Sequence, residues 1–223
     1  MAVSESTRER ILAGAAAAFA SKGCAAARVE DILLSAEVSR PTFYKLFDSK
    51  EAALDELSRI HHAEILARLT TATASVADIT EKLDRTAEAF LRWRAQLGPI
   101  GRVLDTESRV TGSRLQSHRE AVLDAVVARL QTELREAGRG EVDPLVLHAL
   151  IAACENVADS FLAEKRIGAP EFERRKAVLL RIVRASLALD DEAVPPLPRL
   201  GGSAAAPPEA DAGRGVRPGV ETP

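Results

Sequence analysis

Apolar residues recur every three or four positions along most of the chain, and this period constrains the fold more than any other feature. The segment 79–97 carries one continuous apolar stripe, and Gly98-Pro99 ends it. Such spacing is typical of amphipathic helices. No segment alternates apolar and polar residues between turn signals, as a half-buried strand would. The sequence therefore predicts an all-α fold of about nine helices.

The run 39–51 reads as a short helix, a break and the start of a longer helix. Ser39 can cap the short helix, and Pro41 suits its first turn, where a missing N–H costs little. Asp48-Ser49 forms the break, and the longer helix is predicted to end at about Ala67. The short helix carries more long hydrogen-bonding side chains than its length would require for packing. The major groove of duplex DNA admits one α-helix and presents donors, acceptors and phosphates, so it is the expected partner.

Two further helices are predicted before this run. Ser6 and Glu9 have the spacing of a capping box, which places the start of the first helix at Ser6. The second helix is predicted from about Val29 to Ala36. Two short helices joined by a tight turn and braced by a longer helix make a helix-turn-helix module.

Several features, in order along residues 7–57, resemble the N-terminal domain of TetR-family transcriptional regulators. They are Thr7-Arg8-Glu9-Arg10-Ile11-Leu12, the stretch 19–23, Asp31-Ile32, Ala36-x-Val38-Ser39, Thr42-Phe43-Tyr44 and Phe47-x-Ser49-Lys50-Glu51. The resemblance implies an N-terminal three-helix helix-turn-helix domain at 1–57 and a C-terminal helical bundle at 58–190 for ligand binding and dimerisation. A tail rich in proline, glycine and alanine at 191–223 is expected to be disordered.

The resemblance also implies which residues meet DNA. Phe43 and Phe47 should pack inward, and the side chains between them should face the duplex. Arg28 stands near where the family has a hydroxyl cap, and our hypothesis is that it reaches a phosphate instead. The candidate DNA-binding residues are Arg28, Ser39, Arg40, Pro41, Thr42, Tyr44, Lys45 and Lys50.

Glu37 departs from the family pattern, which has glycine at this point of the turn. A residue other than glycine costs roughly 1 kcal/mol in a left-handed conformation. The negative charge of Glu37 also lies close to the expected path of DNA. A different conformation of the turn, and so a different aim of the third helix, is therefore one possible consequence.

The resemblance further implies a small-molecule effector in the C-terminal bundle. The candidate ligand-binding residues are Phe90, Trp93, Leu97, Leu104, Leu123, Val127 and Asn156. The apolar members can equally be ordinary core, and Asn156 can equally be a surface or interface amide. The chain has one Trp, one Tyr and six Phe, which is few for a pocket that stacks flat cations. An aliphatic or acyl-like ligand therefore fits the sequence better.

A homodimer is expected from the last two helices, at about 145–162 and 172–189, because both are apolar on more than one face. Its two-fold symmetry would match a palindromic double-stranded operator. The resulting hypothesis is a DNA-binding repressor released by a small-molecule effector. Two alternatives stay open: control by a partner protein instead of a ligand, and activation instead of repression.

Other classes of protein are disfavoured. The four histidines fall in no catalytic or metal-ligand pattern, so neither an enzyme nor a metal or other cofactor is expected. The polar N-terminus and the lack of a long uncharged apolar run argue against secretion and membrane insertion. Cys24 and Cys154 are expected to be core thiols in a reducing cytoplasm. The net charge of −3 does not contradict DNA binding, because residues 38–50 hold Arg40, Lys45 and Lys50 against Asp48.

Overall fold

The molecule is built from helices alone over residues 2–162 and 168–187, the part that this computed structural model describes. The all-α prediction is thereby confirmed. In chain order the helices are α1 Ala2–Ala26, α2 Val29–Ala36, α3 Arg40–Tyr44, α4 Lys50–Thr73, α5 Ile79–Ser108, α6 Arg114–Glu136, α7 Pro144–Leu162 and α8 Ala169–Ser186.

The described residues form eight helices, whereas about nine were predicted, and the difference arises in helix α5. Two separate helices were expected on either side of Gly98-Pro99. Gly98 does leave the helical conformation, with φ 60° and ψ −150°. Helical structure resumes at once on the far side, so the two predicted helices form one kinked element. A proline inside a helix removes one backbone hydrogen bond, which is the usual cause of such a kink.

Two predicted helix ends are wrong. Helix α1 begins at Ala2, because the Ser6–Glu9 spacing also fits the interior of a helix, where residues three apart share a face. Helix α4 continues to Thr73, beyond the predicted end near residue 67, because Leu69 and Thr73 go on burying the same face. The predicted disordered tail lies outside the described residues.

The N-terminal helices pack around a small apolar core. Phe19, Ile32 and Phe43 are fully buried there, one from each of the first three helices. Helix α1 and helix α2 approach most closely at Gly14. A Cβ atom at that position would lie 2.8 Å from both the Cβ and the backbone N of Ala36. The absence of a side chain at Gly14 therefore sets how α2 lies on α1.

The same core extends into the C-terminal helices. Leu104 of α5 and Leu115 of α6 belong to it, and Ile100 and Val103 pack against it. A second core joins α5, α6, α7 and α8 around Leu91, Leu134, Leu147 and Leu179. The portion of α5 after the kink thus contacts the N-terminal module, while the portion before the kink belongs to the C-terminal bundle. The domain boundary at residue 57 stays a prediction.

Candidate nucleic-acid interface and internal cavity

Helix α3 has the two faces that the sequence predicts. Its N-cap Ser39 accepts a hydrogen bond from the backbone N–H of Thr42 at 3.3 Å. Phe43 and Phe47 are buried, as predicted, whereas Tyr44 remains 44% exposed. The Tyr44 ring packs edge-on against Phe43, with 5.3 Å between ring centroids. Phe43 therefore supports the ring of Tyr44 while the outer face of α3 stays open.

The turn between α2 and α3 keeps the left-handed conformation despite its glutamate. Glu37 has φ 52° and ψ 47°. The Arg10 guanidinium, from α1, donates hydrogen bonds of 2.8 Å to the carbonyl oxygens of both Ala36 and Glu37. These bonds satisfy two carbonyls at the end of α2 and hold the turn in place. The turn therefore adopts the conformation that glycine would favour, so the expected alternative geometry is not observed.

Arg28 precedes α2 and has an exposed side chain. Its backbone N–H donates to Asp31 Oδ2 at 2.9 Å, and Lys22 Nζ lies 2.6 Å from Asp31 Oδ1. The Lys22 ammonium, with the Arg28 N–H, holds the pKa of Asp31 below its usual value. Asp31, at the third position of α2, thus caps the N–H of Arg28, which is one half of a capping box. The Arg28 guanidinium has no acceptor for the other half, so its side chain makes no capping hydrogen bond. Its phosphate contact stays a prediction.

Arg40 forms an ion pair with Glu30 of α2 across the surface of the module. Both side chains are more than half exposed. An exposed pair of this kind is worth about 0–1 kcal/mol. Arg40 would therefore lose only a weak interaction with Glu30 when it contacts a base edge. Lys45 and Pro41 are exposed beside it, and Thr42 is half-buried.

Lys50 is engaged inside the module, contrary to the expectation of a free phosphate contact. Its Nζ donates to the carbonyl oxygens of Cys24 at 2.7 Å and Ala27 at 2.8 Å. The side chain is only 20% exposed. These bonds tie the start of α4 to the end of α1. The start of α4 nevertheless borders a surface concavity that also includes Arg28 and Tyr44.

Lys50→Met is expected to lower the free energy of unfolding by about 1–3 kcal/mol, because buried carbonyls lose a charged donor. Lys45→Met is the matched control, since Lys45 is exposed and an exposed substitution changes stability by about 0.5 kcal/mol or less. Chemical denaturation of the two variants would measure the difference. If both variants were equally stable and Lys50→Met bound DNA more weakly than the unaltered protein, the Lys50 ammonium would serve DNA binding and not the fold.

A largely apolar cavity of about 210 Å³ lies between α4, α5, α6, α7 and α8. Five of the seven candidate ligand-binding residues line it: Phe90, Trp93, Leu97, Leu104 and Leu123. The remaining two, Val127 and Asn156, do not line this cavity. Val127 is buried in the second core, and Asn156 is exposed on α7. Successive residues on a helix point about 100° apart, so Val126 and Glu155 line the cavity although Val127 and Asn156 do not.

One wall of the cavity carries a charge cluster around the buried Arg94, and this cluster was not predicted from the sequence. Arg94 of α5 pairs with Asp105, beyond the kink, and with Asp159 of α7. Arg119 of α6 pairs with Glu155 of α7. A signal was present in the sequence, because Arg94 lies four residues after Phe90 and three before Leu97, on the apolar stripe itself. A charged residue in that position requires a buried partner.

Two titratable side chains on the cavity wall are neutral near pH 7. Burial lowers the pKa of His62 to about 4, and the nearby His118, His61 and Arg119 lower it further in that order. Burial, with a smaller effect from Glu155, raises the pKa of the Cys154 thiol to about 12. The cavity therefore combines an apolar interior with a polar wall whose charges are paired.

Residues 2–162 and 168–187 contain neither a metal-ligand cluster nor a membrane span. Nowhere in these ranges do three or more His, Cys, Asp or Glu side chains gather in a way that would hold a metal ion. None of their helices has both the length and the apolar character needed to cross a bilayer.

Comparison with protein families identifies the N-terminal module. Residues 11–57 match the model of the bacterial regulatory proteins of the tetR family. The N-terminal domain is that of a TetR-family transcriptional regulator. The match covers α2, α3, the turn at Glu37 and the first part of α4, so the exposed face of α3 belongs to a DNA-binding domain. No curated protein sequence matches this chain significantly.

Solved structures share the fold well beyond the N-terminal domain. The TetR-family regulator PfmR from Thermus thermophilus has 26% identity and a TM-score of 0.65, covering 78% of this chain and 97% of its own. The fatty acid degradation regulator FadR from Bacillus halodurans has 20% identity and a TM-score of 0.68, covering 81% and 94%. A TetR-like regulator from Rhodococcus sp. RHA1 has 21% identity and a TM-score of 0.68, covering 82% and 96%. The C-terminal helices therefore also have a TetR-like arrangement.

Proposed function

We propose that this TetR-family regulator is a homodimeric repressor that a small molecule, bound in the cavity, releases from its operator. The exposed face of α3 carries the proposal for DNA. Tyr44 and Arg40 lie on that face, and the buried Phe43 holds the helix against the domain. In this arrangement α3 enters the major groove, and the exposed Arg28 reaches the phosphate backbone. Such a protein acts in the cytoplasm, where bacterial DNA is found.

The path of α5 supports release by a ligand. Phe90 and Trp93 line the cavity before the kink, and Ile100 and Val103 pack against the N-terminal core after it. A ligand that moves one part of α5 would therefore move the surface on which the DNA-binding domain rests. The ligand must bind the released state more tightly, since equal affinity for both states shifts nothing.

The proposed dimer uses α7 and α8. Leu145 and Val146, at the start of α7, are 74% and 42% exposed. Large apolar side chains that lie exposed side by side are consistent with burial against a second copy. A two-fold dimer would set the two α3 helices about 34–36 Å apart, one turn of DNA, which requires a palindromic operator.

Tyr44→Ala is the variant that tests DNA recognition. An operator would first be selected from genomic fragments with the purified protein. We expect the variant to bind this operator about 1–3 kcal/mol more weakly, with dimerisation and thermal stability nearly unchanged. Tyr44→Phe, which keeps the ring on Phe43, separates a contact through the hydroxyl from packing by the ring. Unchanged operator affinity of Tyr44→Ala would show that α3 is not the recognition helix.

The effector hypothesis and its main alternative, control by a partner protein, predict different causes of release from the operator. A cell extract is divided by ultrafiltration into small molecules and macromolecules, and each fraction is added to the protein–operator complex. Release by the small-molecule fraction is the expected result. Release by the macromolecular fraction alone would favour control by a partner protein. Transcription in vitro from the selected operator distinguishes repression from activation.

A further inference from the structure

The turn between α2 and α3 contains a residue in an unfavourable backbone conformation. Glu37 has φ 52°, and it is the one residue other than glycine with positive φ in the part of the chain that the structure describes. The Cβ atom of an L-residue disfavours this conformation about five-fold relative to glycine. Other contacts must therefore stabilise the turn if α3 is to keep a fixed direction.

The backbone of the turn supplies two of these contacts. The N–H of Glu37 lies 3.4 Å from the carbonyl oxygen of Leu34. The N–H of Val38 donates to the carbonyl oxygen of Leu33 at 3.2 Å. These two bonds form a Schellman motif, whose left-handed position is usually glycine. The carbonyl oxygens of Ala36 and Glu37 take part in neither bond.

The side chain of Arg10, on α1, supplies donors to these two carbonyl groups. Its Nη2 atom donates to the carbonyl oxygens of Ala36 and Glu37, at 2.8 Å in each case. Gly14 lies four residues further along α1, on the same face, and its missing side chain lets Ala36 approach closely. This close packing brings both carbonyl groups within reach of the guanidinium. Hydrogen bonds from a charged donor are stronger than neutral ones.

The direction of α3 depends on the conformation of this turn. Only Val38 and Ser39 separate Glu37 from α3. Helix α3 has five residues, and among them Phe43 alone is buried. A rotation about the φ or ψ bond of Glu37 would therefore turn the exposed face of α3 about the buried Phe43. Such a rotation would change which side chains meet the duplex.

We propose that Arg10 is a positioning residue for DNA recognition, which this chain requires because Glu37 occupies the place of a glycine. This inference rests on the proposed contact of α3 with DNA and extends it to a residue of α1. While the guanidinium holds the two carbonyl groups, the left-handed conformation persists and α3 has one orientation. Without it, some molecules leave that conformation, and the apparent operator affinity falls in proportion to the fraction that stays competent.

Arg10→Met tests the proposal, because methionine keeps an unbranched side chain and has no N–H donor. The variant is made in the full-length protein alone, together with Glu37→Gln, and together with Glu37→Gly. Glu37→Gln removes the negative charge but keeps a Cβ atom, whereas Glu37→Gly also frees the backbone. Fluorescence anisotropy measures binding of the selected operator with and without Arg10→Met in each background. The temperature is chosen so that thermal unfolding shows every variant to be folded.

The loss of operator affinity should depend on the residue at the turn. Arg10→Met should weaken binding about five-fold in the unaltered protein and in the Glu37→Gln background, because the left-handed turn loses its support. In the Glu37→Gly background the loss should be about two-fold or less, because glycine adopts the turn without help. Mixed-sequence DNA, whose binding depends mainly on charge, should show the same small change in all three backgrounds.

An equal loss of operator affinity in all three backgrounds would overturn the proposal, since Arg10 would then act through its charge or its packing. The absence of any loss would overturn it as well. If Tyr44→Ala weakens operator binding in either case, α3 still recognises DNA and only the inference about Arg10 is wrong. If neither Tyr44→Ala nor Arg10→Met changes operator affinity, α3 is not the recognition helix and both proposals fail.

Discussion

Arg94→Met is expected to lower the free energy of unfolding by about 3–5 kcal/mol, the cost of breaking a buried ion pair by removing one partner. Arg94, which precedes the α5 kink, is 5% exposed, and its guanidinium pairs with Asp105 beyond the kink and with Asp159 of α7. The substitution leaves Asp105 without its cation, and Asp159 keeps only the half-exposed Arg109, 3.9 Å away. Burial already raises the pKa of Asp105, and Arg94 opposes that shift. Removal of the guanidinium should therefore drive Asp105 toward its protonated form.

Two comparisons make the Arg94 result specific. Arg92→Met changes an exposed arginine of the same helix that pairs with Glu88 one turn away, and it should cost about 1 kcal/mol or less. The double variant Arg94→Met, Asp105→Asn should recover part of the loss, because the carboxylate that lost its cation is removed. Urea denaturation of the three proteins measures the free energies. A loss for Arg94→Met no larger than that for Arg92→Met would show that the cluster is not energetically coupled to the fold.

Gly14→Val is expected to destabilise the DNA-binding domain by about 3 kcal/mol, through overpacking. The added side chain would meet the Cβ and the backbone N of Ala36 and the carbonyl oxygen of Ile32. Two of these three atoms belong to the backbone of α2, so relief requires the whole helix to move. Because α2 leads through Glu37 into α3, this movement would also shift the recognition helix. Operator affinity should fall together with stability.

Ala17→Val is the matched control for Gly14→Val. Ala17 is exposed on the same helix, so valine there brings the helix-propensity cost of a β-branched residue, about 0.5 kcal/mol, without a steric clash. Thermal unfolding and operator binding of both variants would be compared. Similar losses for the two would mean that α1 and α2 tolerate a wider separation than the Gly14 contact indicates.

Local patterns were enough to predict most of the helices and the N-terminal domain. Ser39, Pro41 and the buried pair Phe43 and Phe47 follow from rules that act over one or two helical turns. The end of α4 and the joined halves of α5 were predicted wrongly. Both depend on whether a neighbouring helix packs against the next turn. The spacing of apolar residues within one helix carries no information about that contact.

Long-range contacts decided the roles of individual polar side chains. Lys50 has the sequence position of a phosphate contact, yet its ammonium reaches the carbonyls at the end of α1. Glu37 stands in place of a glycine, yet Arg10 holds the turn from 27 residues away in sequence. Asn156 and Val127 were predicted to line the cavity because apolar residues surround them in the sequence. Each lies one position after a residue that does line it, and so points to a different side of its helix. Each outcome depends on the angle between packed helices.

The sequence by itself determined that this chain is helical, that its N-terminal domain is of the TetR family and that the outer face of α3 is polar. These properties arise from side-chain period, caps and short spaced motifs, all of which are local in the chain. Only the tertiary structure decided that Arg94 and Trp93 share a cavity wall and that the kinked α5 joins this wall to the DNA-binding domain. Those facts depend on residues as far apart as Arg94 and Asp159 meeting in one buried place, where low solvent exposure makes each unpaired charge or donor costly.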